Sequence, residues 1–221
     1  MTPNQVTAAR IVTAFLAVGL LRWGAHRVAV DLTAIVLTVA SIALDGVDGY
    51  LARTRGLASA LGAKFDILGD RVVENVFFTC FAAAGLISLW VPVVFFARGA
   101  LTDFLSGLAA RTRSGQNLIG KTGWGRRLVA SKASRASYAT LKCICFCYLG
   151  ILLSLRDLAA VDSERWIHWT GLTWPLATAH VITLATVVFC IVRAIPVLWE
   201  ARRLLIARQR VPQGTAVVLS R

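Results

Sequence analysis

Histidine, cysteine and acid are all scarce in this 221-residue chain, and each scarcity removes a class of chemistry. The three histidines are scattered: His168 falls in a loop and His180 in an apolar run, neither beside a ligand partner, so they read as structural. Five cysteines are an odd number. Cys143, Cys145 and Cys147 alternate along an apolar helix, so successive ones point in different directions, while Cys80 and Cys190 are isolated. That pattern suits small packing residues and neither a metal site nor a disulfide framework. Acidic residues number 11 against 24 Lys and Arg, a net charge of +13. In a soluble protein such an excess points to nucleic acid, but no nucleic-acid motif and no soluble basic domain are present. The basic residues are read instead as holding the cytoplasmic ends of helices against anionic lipid. Polar residues are short as well: the chain is 57% hydrophobic, with mean hydropathy +0.68, too apolar for an ordinary soluble domain.

Six long apolar runs fill the chain, near residues 11–21, 28–51, 58–84, 86–109, 138–155 and 171–199. A helix needs about 20 residues to cross a bilayer, so the expected fold is all-α: a polytopic membrane protein with six transmembrane helices, forming a single domain over residues 1–221. The first run is short but extends toward Thr7, and without a convincing cleavage site before Arg22 it is read as a retained helix. Arg53, Arg55, Lys64, Arg71, the basic residues from Arg111 to Arg135 and those from Arg202 to Arg210 gather on one side. Only Arg22, Arg27, Arg156 and Arg165 fall on the other. The positive-inside rule then places both termini in the cytoplasm. Trp23, Trp90, Trp166, Trp169 and Trp199 fall near helix ends, as interface anchors do. Residues 111–135 form the longest cytoplasmic connection, Gly-rich and basic. Gly115-x4-Gly120-Lys121-Thr122 matches a phosphate loop formally, but no strand precedes it and no α/β sheet surrounds it. A basic loop lying on the membrane surface is the reading that remains.

Against so few acids, the 26 residues from Asp45 to Asp70 hold four aspartates: Asp45, Asp48, Asp66 and Asp70. Each costs about 2.5–3.5 kcal/mol at the centre of a membrane helix. Asp45 and Asp48, three apart, share one helical face; Asp66 and Asp70, four apart, share another. A polar turn at Arg53–Gly56 lets the two helices fold antiparallel, with Asp45 level with Asp66 and with Gly49 and Gly62 near the seam. Four converging carboxylates need cations, and hard oxygen ligands select Mg²⁺, Mn²⁺ or Ca²⁺. They suffice for two divalent ions that clamp a diphosphate during phosphoryl transfer, with a carboxylate at the edge free to accept a proton from an attacking hydroxyl. Two other readings predict different patterns. A cation transporter would spread its carboxylates across the membrane depth, and a helix pair with structural charges would satisfy them with Arg and Lys.

The same residues spell Asp45-x2-Asp48-Gly49-x2-Ala52-Arg53, then, after eight intervening residues, Gly62-x3-Asp66-x3-Asp70. This resembles the signature of the CDP-alcohol phosphatidyltransferases, with every fixed position present. Pro3-Asn4-x2-Thr7-x2-Arg10 resembles the opening of the glycerol-phosphate and inositol-phosphate branches of that family. Asn4 or Thr7 is expected to cap a helix on the membrane surface. The resemblance implies a six-helix membrane enzyme, commonly a homodimer, that transfers a phosphatidyl group from CDP-diacylglycerol to a hydroxyl and releases CMP. It implies Asp45, Asp48 and Asp66 as metal ligands, with Asp70 sharing a second ion and acting as general base. It also implies that Gly49, Ala52, Arg53 and Gly62 line the cytidine diphosphate pocket. The metal is expected to be Mg²⁺ or Mn²⁺, and the site to face the cytoplasm from the inner membrane.

The acceptor is read from the remaining cations. Lys142 and Arg193 lie inside apolar runs, where a cation is a functional candidate. Lys132 and Arg135 share the start of the fifth helix. Such a basic surround suits a phosphorylated alcohol. Glycerol 3-phosphate, giving phosphatidylglycerol phosphate, comes first, then inositol phosphate, then phosphatidylglycerol in a cardiolipin-type reaction. The 111–135 loop departs from the short Gly-Lys-x-Lys-Thr segment of common bacterial glycerol-phosphate enzymes.

Overall fold

The computed structural model describes residues 3–24, 27–54, 60–110, 131–161 and 173–209. The described residues form six helices: α1 (Pro3–Trp23), α2 (Val28–Thr54), α3 (Ala60–Ala83), α4 (Trp90–Ala110), α5 (Lys132–Val161) and α6 (Thr173–Gln209). Four of them, α1, α2, α5 and α6, are long and apolar enough by length and composition to cross a membrane. The stretch of α3 that carries Lys64, Asp66, Asp70, Arg71 and Glu74 is too charged for that test. The helices divide between two units: Met1–Phe96 with Ala139–Val187, and Ala97–Tyr138 with Val188–Arg221.

In the first unit α1 packs against both α2 and α3. Ala14, Ala17 and Ala34 are fully buried, and such small side chains let membrane helices approach closely, where packing rather than water exclusion holds them. Phe77, Phe78 and Phe81 of α3 pack their rings against Phe95 of α4 and Phe146 of α5, the closest ring centroids being 4.3 Å apart. Glu74, 3% exposed, accepts a hydrogen bond from Lys142 Nζ at 2.5 Å and lies 3.5 Å from Arg71, so a buried ion network joins α3 to α5. Gly85 ends α3 in the left-handed region at φ 75°. The Leu86 and Gly85 amides donate back to the Phe81 and Ala82 carbonyls, the reciprocal pair of a Schellman cap. Arg156 of α5 donates to the Ala84 carbonyl at 2.6 Å and satisfies another helix-end acceptor.

In the second unit Ser131 caps α5, its hydroxyl accepting from the Ser134 amide at 3.1 Å. The rings of Tyr138 and Phe189 stack 5.6 Å apart. Pro196 inside α6 removes one backbone donor from that helix.

Helix ends differ from the apolar runs where polar residues continue the helix. α5 starts at Lys132 rather than near Tyr138, and α6 continues to Gln209, past the end of its run at Trp199. Thr7 is no cap: α1 starts at Pro3, and Thr7 is buried in its second turn at 2% exposure. The 111–130 part of the basic loop, the phosphate-loop match, Trp166, Trp169 and His168 lie outside the described residues.

Candidate functional site

Arg10 stands at the centre of the aspartate cluster. Its side chain, on α1, is 1% exposed, while those of Asp45, Asp66 and Asp70 are 43%, 44% and 42% exposed. Nη1 donates to Asp45 Oδ1 and lies 3.2 Å from Asp70 Oδ1. Nη2 donates to the Asp66 carbonyl at 3.3 Å and lies 3.6 Å from Asp66 Oδ1. One planar group therefore reaches α2 and two turns of α3. Asp45 and Asp70 also come within hydrogen-bonding reach of each other. The expected convergence of α2 and α3 carboxylates is present for these three residues.

Local sequence explains the approach. Gly69 lies between Asp66 and Asp70 and is buried. A Cβ there would lie 2.8 Å from Arg10 Nη2 and 2.7 Å from Thr7 Cγ2, so the missing side chain is the slot that admits the guanidinium. On the opposite side, the Ser41 hydroxyl of α2 donates to the Arg10 carbonyl at 3.1 Å. Sequence reasoning gave Arg10 no role and passed over Gly69. Two signals pointed to them: a cation within an apolar helix, and a helix-interior glycine, which costs about 1 kcal/mol relative to alanine.

Asp48, Gly49, Ala52 and Arg53 belong to α2, but their side chains lie outside the described residues, as does that of Lys132. Gly62 is half-buried in the first turn of α3. Among the described residues, no three His, Cys, Asp or Glu side chains form a ready-made metal set. The donor chemistry still fits a hard divalent ion. Three carboxylates share one patch and remain partly open, which calls for positive charge beyond Arg10 and the nearby Lys142.

The cations proposed for an acceptor belong to different units. Lys142 belongs to the first unit and is turned to Glu74. Arg193 and Arg135 belong to the second. Arg193, 9% exposed, donates to the Ser134 hydroxyl at 2.6 Å and lies over the Tyr138 ring at 5.4 Å. Arg98 and Arg135 are close enough for their charges to bear on it.

A profile described as CDP-alcohol phosphatidyltransferase matches residues 1–192. No curated protein matches the chain. The matched stretch holds every residue of the aspartate site, Arg10 and Gly69 included.

Proposed function

The chain belongs to the CDP-alcohol phosphatidyltransferase family, and from that premise we propose that it transfers the phosphatidyl group of CDP-diacylglycerol to glycerol 3-phosphate, giving phosphatidylglycerol phosphate and CMP. The family makes it a membrane transferase of substituted phosphate groups, working in phospholipid synthesis on a CDP-alcohol and an alcohol acceptor. The observation that carries the reading is the convergence of Asp45, Asp66 and Asp70 on one partly open patch.

Family members are generally dependent on divalent metal. Here Asp45, Asp48, Asp66 and Asp70 would hold two Mg²⁺ or Mn²⁺ ions, which when bound supply Lewis acidity to the diphosphate. Gly49, Ala52 and Gly62 leave room for the cytidine nucleotide, and Arg53 takes phosphate oxygens. Asp70 accepts the proton of the acceptor hydroxyl. The hydroxyl oxygen then bonds to the lipid-side phosphorus, the bond from that phosphorus to the bridging oxygen breaks, and CMP leaves with the electron pair.

A phosphorylated acceptor is supported by Arg193, with Arg98 and Arg135 nearby. Lys132 and Lys142 are the other two cations proposed for the acceptor phosphate, Lys142 being held by Glu74. The positive-inside distribution supports a site on the cytoplasmic face of the inner membrane with both termini inside, and we propose a homodimer as the working form.

Purified protein is incubated with CDP-diacylglycerol, Mg²⁺ or Mn²⁺, and glycerol 3-phosphate, inositol phosphate or phosphatidylglycerol in turn, with CMP release as readout. Glycerol 3-phosphate is expected to give the fastest release. Preference for inositol phosphate or phosphatidylglycerol reassigns the product within the family. No CMP with any acceptor from folded protein overturns the reading.

A further inference from the structure

We infer that Arg10 is a positioning residue for the aspartate site: its fork ties Asp45 of α2 to Asp66 and Asp70 of α3 and sets the spacing at which those carboxylates meet a divalent ion. The inference rests on the metal-dependent reading above.

A guanidinium at 1% exposure is kept inside a membrane helix only if its donors are used. Arg10 engages both terminal nitrogens on two neighbouring helices at once, through Asp45, Asp70 and the Asp66 carbonyl. The planar, rigid fork fixes the relative placement of those groups, whereas a lysine ammonium on a flexible stem could not span them in one geometry. The structure holds the fork from both ends. Ser41 anchors its backbone carbonyl, and Gly69 clears the space in which Nη2 lies.

Exposure decides which side the guanidinium takes. It is sealed, while each carboxylate it touches stays about two-fifths open. Arg10 therefore lies behind the acids, and an ion arriving from the open side meets them without displacing it. Groups behind metal ligands typically change affinity about ten- to a hundredfold when removed. The competing view makes Arg10 a stand-in cation that metal must expel. It predicts the opposite sign, because loss of the guanidinium would then tighten metal binding.

The test is Mn²⁺ affinity of the full chain in detergent, without nucleotide, read from the electron paramagnetic resonance of free Mn²⁺. Arg10→Lys keeps the charge and loses the fork. Gly69→Ala keeps Arg10 and fills its slot. Both are expected to weaken Mn²⁺ binding by about ten- to a hundredfold, while Arg22→Lys, exposed at the far end of α1, leaves it unchanged. Ser41→Ala removes a single hydrogen bond and serves if the stronger variants fail to fold; a weakening of about threefold or more is expected. Unchanged or tighter binding in the folded variants, with the wild type binding normally, overturns the role of Arg10 alone. A wild-type chain that releases CMP but binds no Mn²⁺ overturns the metal premise as well.

Discussion

Asp70 is placed to separate chemistry from binding. Its carboxylate faces Asp45 and Arg10 at the patch where the acids converge. Asp70→Asn is expected to lower CMP release about 10²–10⁴-fold, the usual worth of a general base, while CDP-diacylglycerol binding largely persists; near-normal turnover would remove the base role. Arg193→Ala is expected to raise KM for the phosphorylated acceptor roughly ten- to a hundredfold, the scale of a charge-assisted hydrogen bond, with little change for the lipid donor. Equal changes for both substrates would make Arg193 an anchor only. The aspartates were legible because their spacing along the chain is itself the signal. Arg10 was not, because its partners are 35 and 56 residues away and only folding brings them together. The Lys142–Glu74 pair was hidden for the same reason, its members lying 68 positions apart.

At the level of the helices, the ends carry the testable chemistry. Nothing lies within 4 Å of where a Gly85 Cβ would stand, so Gly85→Ala adds backbone strain without a clash. It is expected to cost about 1–2 kcal/mol, seen as a lower thermal midpoint in detergent with CMP release intact. The Lys142–Glu74 pair joins α5 to α3 by opposite charges. Lys142→Met leaves the buried Glu74 carboxylate to Arg71 and is expected to destabilise by less than the roughly 3–5 kcal/mol of a fully unpaired buried charge, whereas Lys142→Met with Glu74→Gln recovers much of the loss. A lone KM effect in Lys142→Met, without loss of stability, would favour the acceptor role. Helix number was legible because each helix has an apolar run. Helix ends were less so, because hydropathy marks what lipid can cover, while α5 and α6 continue into residues such as Arg135 and Arg202 that helical hydrogen bonding accepts equally well.

On the scale of the whole molecule, the expected behaviour is that of a metal-dependent membrane enzyme. Chelation by EDTA is expected to abolish CMP release and added Mg²⁺ or Mn²⁺ to restore it; full activity after exhaustive chelation would remove the metal from the mechanism. Family and membrane character were both readable before any coordinates, since the 45–70 signature carries the first and mean hydropathy the second. The division of α4, α5 and α6 between two units was not, because no break in composition marks it.

The ion pairs on α1 also bear on biosynthesis. A ribosome delivers α1 to the bilayer with a bare cation, then α2 with its acids, then α3 with more. The guanidinium of Arg10 has partners on both later helices, so its donors are engaged on both sides only when the third arrives. A nascent chain halted after Thr54 therefore lacks the α3 partners of Arg10, whereas one that has added α3 through Gly85 holds them all.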